Sequence, residues 1–252
     1  MKSAVMSPGS KTLLVLGGTS DIGRMTARSF AAAGWTIRLA GRDLDALQRE
    51  RDDIAARSGN AATTHRFDVL DTASFPSFLD SLPELPDAVV SVIGLLGDQK
   101  DSEADLDRAA IVMRSNYEGP SLILGLLAER FFARGHGVIV GVSSVAGDRG
   151  RASNYIYGSA KAGLTAYLAG LRHRAAKTAV RVLTVKPGFV RTRMTEGMKL
   201  PGALTAEPGE VGDAILRGVE RQKDVIYVRP AWRIIMLIIR AIPEPIFKKL
   251  SL

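Results

Sequence analysis

The sequence predicts a doubly wound α/β fold, in which a parallel sheet of about seven strands carries helices on both faces. Three observations predict this fold. Short apolar runs alternate with longer amphipathic stretches, the runs are apolar at nearly every position, and a glycine-rich turn follows the first run. Strands that are apolar throughout are buried on both faces, which is typical of parallel sheets in α/β proteins.

Seven short runs, apolar or rich in β-branched residues, are predicted to be the strands of this sheet. In chain order they are Thr12–Leu16, Thr36–Ala40, Thr63–Phe67, Ala88–Ile93, Val138–Val142, Val180–Lys186 and Val225–Val228. Parallel neighbours need a crossover connection, and amphipathic stretches between the runs provide it. The predicted helices are Ile22–Ala33, Leu44–Arg57, Tyr117–Arg134, Tyr157–Arg174 and Gly209–Arg221.

No linker, repeat or low-complexity tract interrupts this alternation. Residues 1–252 are therefore predicted to form a single Rossmann-type domain, since one larger α/β unit commonly has this length. The last part of that domain, residues 231–252, is an apolar tail flanked by basic residues, and it is predicted to contain an apolar C-terminal helix.

The composition excludes several classes of protein. Apolar residues make up 46% of the chain and charged residues 24%, which is untypical of disordered chains. The absence of cysteine excludes disulfides and thiolate chemistry, and the three histidines lack the spacing of metal ligands, so no metal site is expected. Met1–Lys11 lacks the apolar stretch of a signal peptide, and no apolar run approaches the ~20 residues of a membrane span. A cytoplasmic location is expected.

The positive net charge of the chain indicates an anionic partner. Lys and Arg number 34 and Asp and Glu 26, which gives a formal net charge of +8. Nucleic acid is one polyanion that this charge permits, but charge alone is weak evidence for it. No nucleic-acid partner is expected, because the motifs described next indicate other anions.

The first predicted strand runs directly into a glycine-rich turn and then a helix. Glycines at this junction let the backbone turn tightly and approach a pyrophosphate, whose charge lies at the helix N-terminus. The alternative is a tight turn without a ligand, in which Asp21 caps the helix. The position in the first strand–helix unit favours a dinucleotide site. The turn is Gly17-Gly18-Thr19-Ser20-Asp21-Ile22-Gly23.

The end of the second predicted strand bears on the choice of cofactor. It reads Ala40-Gly41-Arg42, without the acidic residue that binds the ribose 2′-hydroxyl of NAD. Arg42 suits a 2′-phosphate, so NADP(H) is favoured and NAD(H) is the alternative. If Arg42 is only a solvated surface residue, this preference has no basis.

Tyr157 and Lys161 are spaced to share one face of a helix. A phenol with a pKa of ~10 is a poor acid–base group near neutral pH, and a nearby ammonium is expected to lower that pKa. Ser144 follows the fifth predicted strand, at the edge of a parallel sheet where ligands bind, and its hydroxyl could hold a substrate carbonyl. A Tyr-x-x-x-Lys pair alone is usually a surface pair, so the combination carries the prediction.

Together these residues resemble the short-chain dehydrogenase/reductase family over nearly the whole chain. The resemblance implies NAD(P)-dependent reduction of a ketone to a secondary alcohol by a catalytic tetrad, in which Asn116 holds a proton-relay water beside Ser144, Tyr157 and Lys161. It also implies a homodimer or homotetramer built on the two central helices. Cofactor contacts are implied for Gly17, Thr19, Ser20, Asp21, Ile22, Gly23, Arg42, Asp68, Val69, Gly94, Tyr157, Lys161, Pro187, Gly188, Val190 and Thr192.

Two departures from the family pattern are present. Asp21 stands at the middle glycine of the turn, where NADP-dependent relatives often carry a basic residue, and this weakens the preference for NADP(H). The segment after the fourth strand reads Ser91-Val92-Ile93-Gly94 in place of the usual Asn-Asn-Ala-Gly. Because Gly94 is kept, cofactor binding is expected to survive.

Further segments are similar to a subgroup that reduces decaprenylphosphoryl-2-keto-ribose, a lipid-linked cell-wall sugar, after a flavin-dependent oxidase has formed the ketone. The similarity implies a polyprenylphosphoryl 2-keto-pentose or similar keto sugar as substrate and a flavin-dependent oxidase as partner. Arg191, Arg193 and Arg149 are the expected contacts of its phosphate. The alternatives are a soluble oxoacyl, steroid-like or xenobiotic ketone and, least favoured, a non-enzymatic dinucleotide-binding or nucleic-acid-binding protein.

Two interpretations of the tail stay open. Arg233 and Arg240 share one helix face, and Trp232, Lys248 and Lys249 flank an apolar stretch that is too short to span a bilayer. An apolar face with cationic flanks and a boundary tryptophan is typical of a helix that lies on a membrane surface. The alternative is a helix that covers the core or a subunit interface. The predicted apolar face consists of Ile234, Leu237, Ile238 and Ala241.

Overall fold

The computed structural model describes residues 11–250. Its seven strands form one parallel sheet in the order β3-β2-β1-β4-β5-β6-β7, so the predicted doubly wound fold is confirmed. The strand ends lie within two residues of the predicted ones. The strands are β1 Thr12–Leu16, β2 Thr36–Gly41, β3 Ala62–Arg66, β4 Ala88–Ser91, β5 His136–Val142, β6 Ala179–Pro187 and β7 Val225–Val228.

The five predicted helices are present, with ends shifted by one or two residues. The helices are α1 Asp21–Ala32, α2 Leu44–Ser58, α3 Phe75–Asp80, α4 Gln99–Ala104, α5 Leu106–Met113, α6 Gly119–Arg134, α7 Tyr155–Ala175, α8 Pro208–Glu220, α9 Ala231–Ala241 and α10 Glu244–Phe247. Four of these helices, α3, α4, α5 and α10, were not predicted because they are short.

The sheet has an apolar core on each face, as the continuously apolar strands predict. In β1, Leu13 and Val15 point to one face, where they pack with Phe30 of α1. Leu14 and Leu16 point to the other face, where α3, α6 and α7 cover them. Burying each such side chain contributes roughly 1.5–3 kcal/mol, so both layers of helices are held mainly by apolar contact.

The strand order reverses beside β1. The chain adds β2 and β3 on one side of β1 and then crosses over to place β4 on the other side, where Leu13 pairs with Ala88. Loops that follow the carboxyl ends of β1 and β4 therefore diverge and leave a crevice, which is where open α/β sheets bind ligands. The glycine-rich turn after Leu16 and the segment that contains Gly94 border this crevice.

Helix α9 packs on the catalytic edge of the sheet through a third apolar cluster. Trp232 and Met236 are buried there against Val145 and Phe189, and the two aromatic rings meet edge-on at 5.7 Å. Trp232 is thus a core residue, and the expectation that it marks a lipid boundary is wrong. Within residues 11–250, no helix is long and apolar enough to cross a membrane. The predictions for residues 1–10 and 251–252 lie outside the described range.

Candidate active site

The glycine-rich turn is held in a conformation that only glycine adopts easily. Gly17 has a φ of +91°, and its N–H donates to the carbonyl oxygen of Ala40 at 2.9 Å. Ser20, and not Asp21, caps α1, because the Ser20 hydroxyl accepts from the N–H of Gly23 at 3.0 Å. A Cβ at Gly23 would lie 2.3 Å from the Gly17 carbonyl oxygen, so α1 starts in close contact with the turn. The N-terminus of α1 is thereby aimed at the crevice.

A cleft of about 440 Å³ occupies this crevice. Ten residues that the resemblance assigns to the cofactor line it together, namely Gly17, Thr19, Ser20, Asp21, Ile22, Arg42, Asp68, Val69, Gly94 and Thr192. Other assigned residues do not line it. Val190 is packed into the core below, and a Cβ at Gly188 would lie 2.0 Å from the Trp232 indole. Pro187, the last residue of β6, is also absent from the lining.

Arg42 lies at one end of this cleft, beside Gly41 and Asp68. Its side chain is exposed and makes no ion pair to any part of the chain that the structure describes. Asp68 instead turns a carboxylate oxygen towards the N–H of Leu70 at 3.0 Å. A guanidinium without a protein partner at the end of β2 is compatible with a phosphate on the adenine ribose.

Arg193 bridges the two walls of the cleft. Its backbone N–H donates to the Asp21 carboxylate at 2.9 Å, and its guanidinium donates to the carbonyl oxygen of Thr19 at 2.6 Å. The turn after β6 is in this way tied to the glycine-rich turn. The Arg193 guanidinium is therefore bonded within the protein itself, whereas the sequence similarity implies a contact with a substrate phosphate.

The other two arginines predicted for the substrate are also engaged. Arg191 pairs with Glu207 at 2.8 Å. Arg149 donates to the carbonyl oxygen of Ile239 at 2.7 Å and to Glu244 at 2.8 Å, and its guanidinium lies 3.7 Å from the centre of the Phe247 ring. Arg149 thus fastens the end of α9 and α10 to the segment that follows Ser144. Sequence alone could not show these partners, because they are 16 to 98 residues away.

Ser144, Tyr157 and Lys161 come together at the carboxyl edge of β5. Tyr157, in the first turn of α7, hydrogen-bonds to the Ser144 hydroxyl. Lys161 is only 3% exposed, and its ammonium donates to the carbonyl oxygens of Val142 at 3.0 Å and Ile93 at 3.4 Å. The structure thus brings together the three side chains that the sequence assigns to one site.

Burial dominates the acid–base properties of this group. Desolvation raises the pKa of Tyr157 to about 12, and the hydrogen bond to Ser144 acts in the opposite direction with a smaller effect. Desolvation lowers the pKa of Lys161 to about 7. The expectation that Lys161 lowers the pKa of Tyr157 is not met, because Nζ lies 5.8 Å from the centre of the Tyr157 ring and burial outweighs its charge. At neutral pH Tyr157 is a protonated phenol.

Asn116 is fully buried in a π-helical turn, Arg114–Glu118, that joins α5 to α6. Its side-chain amide donates to the carbonyl oxygen of Leu95 at 2.6 Å. A Cβ at Gly94 would lie 3.0 Å from the Asn116 side-chain oxygen and 3.4 Å from the Lys161 ammonium, so these two side chains converge on Gly94. π-turns occur frequently at functional sites. The structure therefore brings Asn116 next to Lys161.

Sequence reasoning missed the residues that fix Lys161. The Ser143 hydroxyl donates to the carbonyl oxygen of Lys161 at 2.9 Å and lies 2.7 Å from the hydroxyl of Thr165. A Cβ at Gly147 would lie 2.7 Å from the backbone of Lys161, so the segment after β5 packs directly on α7. The sequence features that could have indicated these contacts are the Ser143-Ser144 pair and Gly147 after it.

A second group of unpredicted residues lies beneath the site. Asp148 and Lys186 form a buried ion pair, and the hydroxyl of Tyr227 donates to the other Asp148 oxygen at 2.8 Å. Desolvation, with the nearby Asp148 carboxylate, raises the pKa of Tyr227 to about 12. The three side chains come from the segment after β5, from β6 and from β7, so they join the ends of three elements.

The sequence of the chain is similar to that of known oxidoreductases. Residues 11–200 match the short chain dehydrogenase family. An uncharacterized oxidoreductase of Mycobacterium tuberculosis is 36% identical over 245 residues, which are 96% of this chain and 98% of that protein. An uncharacterized oxidoreductase of Streptomyces coelicolor is 37% identical over 247 residues, with 95% of this chain and 96% of that protein covered.

The fold has close structural counterparts. A short-chain dehydrogenase from Sphingobium yanoikuyae in complex with NADPH superimposes with a TM-score of 0.80 over 93% of this chain and 97% of that one, at 23% identity. At this identity the likeness supports the fold, whereas the family assignment rests on the sequence match. From the match over residues 11–200 and the full-length relatives, the chain belongs to the short chain dehydrogenase family of oxidoreductases.

Proposed function

We propose that the chain reduces a ketone to a secondary alcohol with NADP(H) as cofactor. The observation that carries the proposal is the hydrogen-bonded pair Ser144 and Tyr157 beside the buried Lys161, at the sheet edge that also forms the 440 Å³ cleft. Burying a lysine side chain costs free energy, and a binding protein without enzymatic activity gains nothing from that burial. Residues 1–252 are proposed to form one domain that carries this activity.

The cleft fits a dinucleotide. The turn brings the N-terminus of α1 to the cleft, where a phosphate can bind, and Gly23 permits this close packing because a Cβ there would collide with the Gly17 carbonyl oxygen. Arg42 supports NADP(H), as does the NADPH complex of the Sphingobium yanoikuyae protein, and NAD(H) is the second candidate. A bound nicotinamide dinucleotide supplies the hydride. Thr192 and Gly94 are the lining residues proposed for the nicotinamide end.

The chain's own residues then handle the carbonyl oxygen. Tyr157, with its pKa raised to about 12, remains protonated at neutral pH and donates its proton to that oxygen. Ser144 donates a hydrogen bond to the same oxygen and orients it. Lys161, buried beside Gly94 and Asn116, holds the cofactor ribose. Asn116, beside Lys161, holds the water from which Tyr157 regains a proton.

A polyprenylphosphoryl 2-keto-pentose or a similar lipid-linked keto sugar is the proposed substrate. Apolar side chains at the cleft support a partly apolar substrate, because Leu95 and Met194 line it and are both exposed. Arg191 is the arginine best placed for the phosphate, since its ion pair with Glu207 is exposed on both sides and such pairs are weak. The second candidate is a soluble oxoacyl, steroid-like or xenobiotic ketone.

The partners proposed for the chain follow the same reasoning. A homodimer or homotetramer would use the central helices, and Leu122 and Leu126 of α6 are exposed apolar residues on this route. A flavin-dependent oxidase would supply the ketone by oxidising the corresponding hydroxyl. A cytoplasmic protein in peripheral contact with the membrane surface would meet a lipid-linked substrate there.

A substrate panel tests the function. The full chain is mixed with NADPH and, separately, with a polyprenylphosphoryl keto sugar and soluble oxoacyl, steroid and xenobiotic ketones, and NADPH absorbance is followed. Loss of absorbance with stoichiometric formation of the alcohol supports the reductase proposal. Preference for the lipid-linked sugar supports its finer form, and preference for a soluble ketone selects the second candidate. Unchanged absorbance with every ketone, at concentrations that saturate NADPH binding, would overturn the proposal.

A further inference from the structure

Helix α9 is apolar on two opposite sides. Trp232 and Met236 are buried on the inner side, against the protein. Ile234, Leu237 and Ile238 lie on the outer side with 64%, 69% and 60% of their surface exposed. Exposed apolar side chains that cluster on one helix face ordinarily mark a surface that binds a partner. These three exposed residues, named the outer ridge, therefore lack the partner that their chemistry calls for.

The surroundings of the outer ridge are cationic. Arg233, Arg240, Lys248 and Lys249 are exposed, and within residues 11–250 none of them forms an ion pair. The one acidic residue between positions 231 and 250 is Glu244, and Arg149 already binds its carboxylate at 2.8 Å. The tail thus combines an exposed apolar ridge with four uncompensated positive charges.

We propose that the outer ridge and these four basic residues form a docking surface for an anionic phospholipid bilayer. In that position the ridge enters the boundary between headgroups and acyl chains, and the cations lie at the level of the phosphates. Each basic residue near an anionic surface strengthens binding by about fivefold. Helix α9 lies flat on such a surface, because its 11 residues are too few to span it.

Charge argues against two other occupants. In a two-fold dimer through this face the same patch meets itself, so the four cations of one copy would face those of the other without an acid between them. A nucleic acid would neutralise the cations but leave the outer ridge in water. An anionic bilayer satisfies the charges and the apolar residues together.

The docking surface is rigidly connected to the candidate active site. The inner side of α9 contacts Val145, which follows Ser144, and Phe189, which follows Gly188. Arg149 fastens the far end of α9 through the carbonyl oxygen of Ile239. A docked bilayer would therefore lie beside the catalytic edge. A lipid-linked ketone would reach the site directly from it, a step that rests on the proposed function.

Vesicle sedimentation with the full chain tests the surface. Vesicles of pure phosphatidylcholine are compared with vesicles that contain one-third phosphatidylglycerol. We expect the chain to sediment with the anionic vesicles and to be released in part by high salt. The variant with Ile234→Ser, Leu237→Ser and Ile238→Ser should bind them at least about tenfold more weakly, because three exposed apolar side chains no longer leave water.

Matched controls exist for both components of the surface. Leu106 of α5 is 84% exposed and lies outside the tail, so Leu106→Ser should leave binding unchanged. Changing the four tail cations to Gln should reduce binding to the level of pure phosphatidylcholine. Four changes of exposed basic residues at the amino ends of β6 and β7 should have little effect. They are Lys177→Gln, Arg181→Gln, Arg221→Gln and Lys223→Gln.

Three results would overturn the proposal. The first is that the unchanged chain does not bind anionic vesicles, and the second is that the ridge variant binds them as well as the unchanged chain. The third is that the ridge variant turns a larger species into a smaller one on gel filtration, which would identify a second copy as the occupant. Reduction of a water-soluble ketone is measured on the same samples. Its loss in every sample would count against the proposed function, whereas lost vesicle binding with normal reduction concerns the docking surface alone.

Discussion

Asp148 and Lys186 form a buried ion pair that joins the segment after Ser144 to the end of β6, directly before Pro187 and Gly188. One partner therefore lies four residues from the proposed catalytic serine, and the other borders the segment that the resemblance assigns to cofactor contacts. Tyr227 supplies a further hydrogen bond to Asp148. The pair fixes the distance between two parts of the site that no regular hydrogen-bond ladder connects.

Removing one partner of this pair should be costly. Asp148→Ala leaves the Lys186 ammonium buried without a counter-charge, and we expect it to lower the free energy of unfolding by about 3–5 kcal/mol. Urea unfolding at neutral pH measures this. The double change Asp148→Ala with Lys186→Met removes both charges and should recover a substantial part of the loss. Equal stability of the single and double variants would show that the charge of Lys186 is not what costs energy.

Much of the fold was predictable because the signal is local. The apolar runs gave the strands within two residues, since a strand buried on both faces must be apolar at nearly every position. The exception to this apolar pattern is β3, an edge strand of mostly polar residues, whose ends Ala62 and Arg66 still lie one residue from the predicted ones. The short helices α4 and α5 escaped prediction because they contain too few turns for a periodic pattern.

The candidate site was predictable where residues act by their position on an element. Tyr157 and Lys161 are one helix turn apart, and Ser144 follows a strand, so spacing alone brings them together. The partners of Arg149, Arg191 and Arg193 depend on distant residues, and a single sequence does not contain them. For the same reason the surroundings that control the pKa of Tyr157 could be found only in the folded chain.

Tyr157→Phe should abolish ketone reduction and leave NADPH binding unchanged. The substitution removes only the hydroxyl that donates the proton, and loss of a general acid lowers the rate by about 100-fold to 10,000-fold. Turnover is followed by NADPH absorbance, and binding by NADPH fluorescence. Tyr155→Phe is the matched control, because Tyr155 lies two residues earlier with an exposed side chain. Turnover that persists in the Tyr157 variant would refute its role as proton donor.

Lys161 should leave a signature in the pH dependence of stability. Its pKa is about 7 in the folded chain and about 10.5 in the unfolded one, so between these values only the unfolded chain holds the proton. The burial penalty is full below pH 7 and disappears as the pH rises. The free energy of unfolding should therefore increase with pH over this range by up to about 1.4 kcal/mol per pH unit from this group.

The variant Lys161→Met isolates that contribution. Urea unfolding of both proteins at pH 7 and pH 9 gives the difference between their stabilities at each pH. We expect the unchanged chain to gain stability relative to the variant as the pH rises, while the variant has lost turnover at both values. A difference that does not change with pH would mean that Lys161 is protonated in the folded chain throughout this range.

Arg42 should determine the preference for NADPH over NADH. A charge-assisted hydrogen bond to the 2′-phosphate is worth ~1.5–3 kcal/mol, so Arg42→Ala should weaken NADPH binding by roughly 10-fold to 100-fold. Binding of NADH, which lacks that phosphate, should change by less than about twofold. Arg49→Ala provides a control on the exposed face of the neighbouring helix α2. Equal loss for both cofactors in the Arg42 variant would assign it another role.

Because Arg193 contacts Asp21, we expect a second substitution at Asp21 to restore the NADPH binding that Arg193→Ala weakens. Arg193 is the only side chain from the turn after β6 that is bonded to the Asp21 carboxylate among residues 11–250. Arg193→Ala removes the guanidinium from this carboxylate and leaves it only the backbone N–H of residue 193 and Arg24, which lies 3.9 Å away, so its negative charge repels the cofactor phosphates more strongly. NADPH binding should weaken by about fivefold to tenfold, as measured by fluorescence titration.

Asp21→Asn removes the repulsion at its source, so adding it to Arg193→Ala should restore the dissociation constant to within about twofold of the unchanged chain. A direct contact of Arg193 with the cofactor or with a substrate phosphate predicts the opposite, because neutralising Asp21 cannot replace a lost cation. The double variant therefore separates the role that the sequence predicts for Arg193, contact with a substrate phosphate, from the bridging role seen in the structure. Full recovery of NADPH binding with an unchanged KM for the ketone assigns Arg193 to the wall of the cofactor cleft.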